Sequence, residues 1–246
     1  MSSARLAALF VSFHPDEQSR RMTGVLARYE ALIASGELRP DKDQQHAVKL
    51  LDQLQRQIES SQSETGFLAS LFGSKTKRPS GLYMWGGVGR GKSMLMDLFF
   101  EALPIERKRR VHFHAFMQEV QEALHAARKT SAENAIKPVA DDIAKDMRCL
   151  CLDEMQVTDI ADAMILGRLF QRLFDHGVTI ITTSNRPPAD LYKDGLNRQL
   201  FLPFIDLLEE KLDVLNLASE TDWRQNRLAS SQTYFTPANA EARAAI

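Results

Sequence analysis

The sequence predicts an α/β fold, a parallel sheet flanked by helices, and three stretches carry that expectation. Gly81 to Asp97 sets a glycine-rich loop between a short apolar run and an apolar helical run. Arg148 to Glu154 is an apolar run that ends in two adjacent carboxylates. Val178 to Thr183 is β-branched throughout and delivers Ser184-Asn185-Arg186-Pro187-Pro188 at its end. Short continuous apolar runs suit strands buried on both faces of a parallel sheet, and polar groups at their carboxyl ends fall where open α/β sheets hold ligands.

Gly86-Gly87-Val88-Gly89-Arg90-Gly91-Lys92-Ser93 fits G-x-x-x-x-G-K-[ST], the phosphate loop called Walker A. Only four positions of that pattern are constrained, so its flanks decide its meaning. Leu82-Tyr83-Met84-Trp85 reads as a central strand, and Met94 to Phe100 continues as an apolar helix. Glycines 86, 87, 89 and 91 are expected to take positive φ, so that successive N–H groups form an anion nest at a helix N-terminus. Lys92 would then place a point charge on the β- and γ-phosphates of a bound nucleotide, and the Ser93 hydroxyl would be a ligand for Mg²⁺. A glycine-rich turn with a surface lysine is the competing reading, and the correct flanks count against it.

The acidic strand end has the form called Walker B. Asp153 would hold Mg²⁺, directly or through water, and Glu154 would polarise the attacking water. Acidic pairs after a strand also serve as helix N-caps, but the phosphate loop upstream favours the catalytic reading. Asn185 has two readings of equal weight: it orients the hydrolytic water, or it is an Asn favoured by the turn before Pro187-Pro188. Cys149 and Cys151, the only cysteines, are two residues apart on one strand face, too close for an ordinary disulfide. They read as core residues, and their free thiols suit a reducing compartment.

The remaining chain falls into place around these stretches. Residues 22 to 39 form a helix with Leu26, Tyr29, Leu32 and Ile33 on one face, and Asp43 to Ile58 a second one with Ala47, Leu50, Leu51, Leu54 and Ile58 inward. Residues 1–60 are thus an N-terminal extension with a helical segment, 61–79 a polar linker, 80–218 the nucleotide core and 219–246 a C-terminal tail or the start of a truncated lid. Val111 to Phe116 reads as a strand followed by a helix from about Met117 to Lys129. His112 and His114 would share that strand's face, as packed or polar-lined residues rather than metal ligands. The basic run Arg107 to Arg110 reads as a solvated approach to the strand in preference to a nucleic-acid patch. Thr158 to His176 is a helix whose apolar stripe is Ile160, Met164, Ile165, Leu169, Phe170 and Leu173, ended by Gly177, and Leu212 to Leu217 is the last strand.

Composition bounds the function classes. With 31 basic and 32 acidic side chains the net charge is -1, which leaves no bulk electrostatic case for a nucleic-acid or membrane-surface protein. No apolar run approaches bilayer-spanning length. The apolar stretch Ala4 to Phe13 reads as an extension rather than a targeting signal.

Taken together, GLYMWGGVGRGKSMLMDLF, HFHAFM, LDEMQVTDIADAMILGRLF and TSNRPPADLYKDGLNRQLFLPFIDLL resemble the ZapE-type family of AAA+ ATPases, over roughly Met22 to Arg224. The resemblance implies a P-loop NTPase of AAA+ type in which Gly86 to Ser93 bind ATP, Asp153 and Glu154 are Walker B and Asn185 is the sensor of the γ-phosphate. Arg198 matches an arginine finger that reaches the ATP of a neighbouring subunit; an arginine at an exposed helix end is the alternative. It also implies an ATP-dependent homo-oligomer and a protein partner such as the division-ring protein FtsZ. The location implied is cytoplasmic, with peripheral contact at the inner membrane or, as an alternative, a mitochondrial matrix. The chain departs from the family in its segment before Met22 and in stopping about thirty residues after Leu217, where AAA+ proteins carry a helical lid. A truncated lid would weaken closure over the nucleotide. GTP is disfavoured, since no [NT]KxD motif follows. The expected activity is ATP hydrolysis coupled to remodelling of a protein; a helicase-loader-like ATPase on DNA and a non-hydrolysing scaffold are the rivals.

Overall fold

The computed structural model describes residues 24–63, 81–130 and 135–218. The expectations for the N-terminal extension up to residue 23, for most of the linker and for the tail from 219 lie outside these residues.

Two helices, α1 (Val25–Ala34) and α2 (Lys42–Ser63), precede the sheet. The sheet and its crossovers follow as β1 (Gly81–Trp85), α3 (Lys92–Ala102), β2 (Lys108–His112), α4 (Phe113–Thr130), α5 (Ile136–Lys145) and β3 (Cys149–Asp153). Helix α6 (Ile160–Asp175), β4 (Thr179–Ser184), two single 3-10 turns, α7 (Leu202–Lys211) and β5 (Leu212–Asn216) complete it. The five strands are parallel in the order β2-β3-β4-β1-β5. Strand β4 therefore lies between the phosphate-loop strand and the acidic strand, with both carboxyl ends beside its own.

Side-chain alternation splits the core in two. Leu82, Met84, Cys149, Cys151 and Ile181 face a layer built by α1, α2 and α3, in which Val25, Tyr29, Leu51, Leu54 and Phe99 are buried. Tyr83, Leu150, Leu152 and Ile180 face the opposite layer of α4, α5, α6 and α7. The N-terminal helices thus share the core of the sheet. Gln55 ties them in: its Oε1 accepts from the Val25 N–H at 3.1 Å, and its Nε2 donates to the Ala102 carbonyl at 3.2 Å. Both cysteines are free and fully buried, as expected of core residues.

The region after α3 corrects the sequence reading. The strand is Lys108–His112, earlier than expected, and α4 begins at Phe113 rather than Met117. Phe113, Phe116, Met117, Val120 and Leu124 are buried at spacings of three and four, which is helical, so the run that looked like a strand is the inward face of α4. His112 ends β2 and His114 sits in the first turn of α4, so the two histidines share no strand face. As an edge strand, β2 tolerates basic residues, and each side chain of the basic run has a partner within the chain. Arg107 donates to the Lys145 carbonyl, Lys108 to the Phe100 and Leu103 carbonyls, Arg109 to Glu119, and Arg110 to Asp153.

Helix α5 was not anticipated from sequence; it buries Ile136, Val139, Ala140 and Ala144. Helix α6 starts two residues later than expected, where the Asp159 side chain caps it by accepting from the Ala161 N–H at 2.6 Å. That leaves Ile160 exposed, outside the apolar stripe. Gly177, at φ 75°, ends the helix as predicted. Among the described residues no helix is long and apolar enough to cross a membrane.

Candidate active site

The phosphate loop joins β1 to α3 in a conformation that its glycines make possible. Gly86 has φ 147°, and a methyl group there would run into the backbone of Leu217, whose N–H donates to the Trp85 carbonyl at 2.7 Å. Gly89 and Gly91 have φ 80° and 84°. Gly91 is the N-cap of α3, and a methyl there would lie 2.8 Å from the Gln44 amide nitrogen. Gln44 is buried on α2 and donates to the Arg90 carbonyl at 3.2 Å, so the N-terminal helices brace the loop directly. Gly87 departs from expectation. It takes no positive φ, and a methyl group there would meet only Arg90 Nε at 3.5 Å.

Lys92 folds back into the loop. Its ammonium donates to the carbonyls of Gly86 and Gly87, both at 2.8 Å, and to Asn185 Oδ1 at 3.1 Å. The strand order explains the last contact: β4 lies next to β1, and the Gly86 N–H donates to the Ser184 carbonyl at 3.3 Å. Asn185 is thus joined to the phosphate-loop lysine.

The acidic strand end meets the start of α3. Asp153 is buried, and its Oδ1 accepts from Ser93 Oγ at 3.2 Å and from Thr183 Oγ1 at 2.5 Å. Its Oδ2 accepts from Arg110 Nη2 at 3.0 Å, while the other arm of that guanidinium pairs with Asp97 on α3. Burial pushes the Asp153 carboxyl up, but hydrogen bonds from Thr183 and Arg110, the Arg110 charge and the Ser93 hydroxyl outweigh it and hold the group below its ordinary value. Asp153 is therefore an anion in the folded protein. Glu154 follows with φ 58°, a conformation that a non-glycine residue rarely takes. Its N–H donates to Thr183 Oγ1 at 2.9 Å, and its side chain is exposed at the mouth of the site.

Arg198 stands apart. No α-helix lies between β4 and Arg198; the segment passes through the 3-10 turn Pro188–Asp190 and a second one, Arg198–Leu200. Pro187, Pro188 and Gly195 disfavour anything longer. The segment is anchored by a series of rings, edge-to-face for Tyr192–Phe201 at 5.4 Å and Phe170–Phe204 at 5.1 Å, with the tilted pair Phe201–Phe204 at 5.2 Å between them. Arg198 is half-buried there, Nη2 donating to the Ala189 carbonyl at 2.6 Å and Nε buried without a hydrogen-bond partner. Leu196, Leu200 and Leu202 beside it are exposed.

The donor set fits a nucleotide and a hard divalent cation. Arg90 Nη1 is buried without a hydrogen-bond partner, a cationic donor within the loop, and Ser93 Oγ and Asp153 Oδ1 offer adjacent oxygens of the kind Mg²⁺ takes. Sequence reading missed four residues of this arrangement: Arg110, Asp97, Thr183 and Gln44. Arg110 was hidden in a basic run, and Thr183 looked like one more β-branched strand residue.

An anion-nesting loop after β1, an acidic end on β3 and a strand inserted between them define a P-loop NTPase of the AAA+ type. The family model for AFG1-like ATPases matches residues 23–246. This chain belongs to the AFG1-like ATPase family. It is 40% identical over 229 residues to the cell division protein ZapE of Escherichia coli K12, covering 89% of this chain and 60% of the relative. It is 42% identical over 183 residues to lactation elevated protein 1 homolog B of Danio rerio, covering 70% and 36%. The chain thus spans about 60% of the length of its bacterial relative. Among solved structures, the replication initiator DnaA bound to AMPPCP and single-stranded DNA superposes with a TM-score of 0.52 at 17% identity, covering 79% of this chain and 53% of that one. AMPPCP-bound DnaA from Aquifex aeolicus gives 0.50 at 18%, covering 78% and 53%. Identities this low speak to the fold alone.

Proposed function

We propose that this chain is an ATP hydrolase whose turnover drives remodelling of a protein partner. The observation that carries the reading is the convergence of Lys92 and Ser93, Asp153, and Thr183 and Asn185 from three separate segments at the phosphate loop.

In this reading Lys92 exchanges the loop carbonyls for β- and γ-phosphate oxygens when ATP enters, and the N–H groups at the start of α3 receive the phosphates. Ser93 and Asp153 would hold Mg²⁺, which when bound withdraws charge from the phosphates. Asp153 suits that role because it is ionised and fixed by three donors. Glu154, at the exposed mouth, takes the proton of the water that attacks in line, and Asn185 orients that water and responds to the γ-phosphate through Lys92. Arg198 would act on the ATP of a neighbouring subunit, and the exposed Leu196, Leu200 and Leu202 supply apolar surface for such a subunit to cover. The bacterial relative is a cell division protein, which favours a division-ring component of the FtsZ kind as the partner.

The test is phosphate release from ATP as a function of protein concentration. Specific activity is expected to rise with concentration in the wild type, to collapse for Arg198→Ala, and to vanish for Glu154→Gln while nucleotide binding persists. Normal hydrolysis by Glu154→Gln would remove that residue as the base; flat activity in which Arg198→Ala equals wild type would remove the trans arginine.

A further inference from the structure

We propose that Arg110 is a resident counter-cation of the phosphate site: in the metal-free state it neutralises Asp153, and when a divalent cation arrives it is retained by Asp97. The proposal rests on the nucleotide reading of the same site. The guanidinium is forked between two carboxylates on different elements, Asp153 at the end of β3 and Asp97 on α3. Ser93 and Thr183 donate to Asp153 as neutral hydroxyls; Arg110 donates as a cation.

The division between the two carboxylate oxygens matters. Oδ1 faces Ser93, the metal side, and Oδ2 faces Arg110. A metal-free triphosphate entering the loop approaches a buried carboxylate, and without Arg110 that charge would repel it at short range in a poorly screened setting. With Arg110 present, nucleotide binds before the metal with little penalty. Once a divalent cation neutralises Asp153, the guanidinium is surplus on that side, and its second arm on Asp97 keeps it in place. The smaller penalty for metal-free binding lowers the dependence of nucleotide affinity on the metal.

The readout is the ratio of dissociation constants for a fluorescent non-hydrolysable ATP analogue, measured in EDTA and in excess Mg²⁺. Arg110→Met is expected to raise this ratio by on the order of tenfold or more, chiefly through weaker metal-free binding, and Arg110→Lys to stay near wild type. Asp97→Asn, which leaves the guanidinium wholly to Asp153, is expected to lower the ratio. A lower melting temperature for Arg110→Met with an unchanged ratio would make Arg110 a strand tie and overturn the proposal. If that variant does not fold, an unchanged ratio for Asp97→Asn overturns it equally. Failure of the wild type to bind the analogue in either condition would instead overturn the nucleotide reading beneath it.

Discussion

Replacing Gly86 by alanine sets a methyl group against the Leu217 backbone at a φ of 147°, whereas the same change at Gly87 finds ordinary backbone and only Arg90 Nε at 3.5 Å. Holding an L-residue in so sparsely populated a conformation costs about 1–3 kcal/mol. Displacing Leu217 weakens the bond from its N–H to the Trp85 carbonyl, about 1 kcal/mol more. The sum, roughly 2–4 kcal/mol, corresponds to a fall in melting temperature of about 5–15 °C for a chain of this size. Gly87→Ala strains nothing and removes unfolded-state entropy, so it is expected to change stability by less than about 1 kcal/mol. Thermal unfolding followed by circular dichroism without nucleotide measures both. If Gly86→Ala melts with the wild type, or if Gly87→Ala falls as far, the assignment of the tight turn to Gly86 is wrong.

If Lys92 serves the phosphates as proposed, Lys92→Ala removes a charge-assisted donor worth about 1.5–3 kcal/mol and should weaken ATP binding by roughly 10- to 150-fold in titration calorimetry; an unchanged affinity would contradict the loop assignment. Asp141 on α5 accepts hydrogen bonds from Arg172 Nε at 2.6 Å and Nη2 at 3.2 Å, and lies 2.6 Å from His176 Nε2. The bonds to Arg172 and then His176 hold its carboxyl down at about 2, against an ordinary value of 3.8. A folded-state value below the unfolded one means the stabilisation is complete above about 3.8 and disappears as pH falls toward 2. The stability curves of wild type and Asp141→Asn should therefore differ at neutral pH and converge across that acid window, in urea unfolding at each pH; curves that stay parallel down to pH 2 would dismiss the α5–α6 clamp.

The candidate site was legible wherever it is built from contiguous residues. A strand, a glycine loop with Lys92 and Ser93, and an apolar run ending in Asp153-Glu154 are covalent arrangements, and a short spacing suffices to specify them. Helices α1, α2 and α6 were legible for the same reason, since their inward faces repeat every three to four residues. The β2–α4 junction was not, because Val111 to Phe116 is apolar or neutral in either pattern and only burial on the α4 side separates strand from helix. Nor could spacing tell which glycine of the loop is indispensable, since that is decided by Leu217, more than a hundred residues further on. The same holds for Arg110 on Asp153, Gln44 on the Arg90 carbonyl and Asn185 on Lys92, which are 43, 46 and 93 residues apart. Such pairs arise only when strand order sets β4 between β1 and β3 and packs α2 over the loop. Strand order follows from the summed burial of the two faces of the sheet, an energy spread over the whole chain and marked at no single stretch of it.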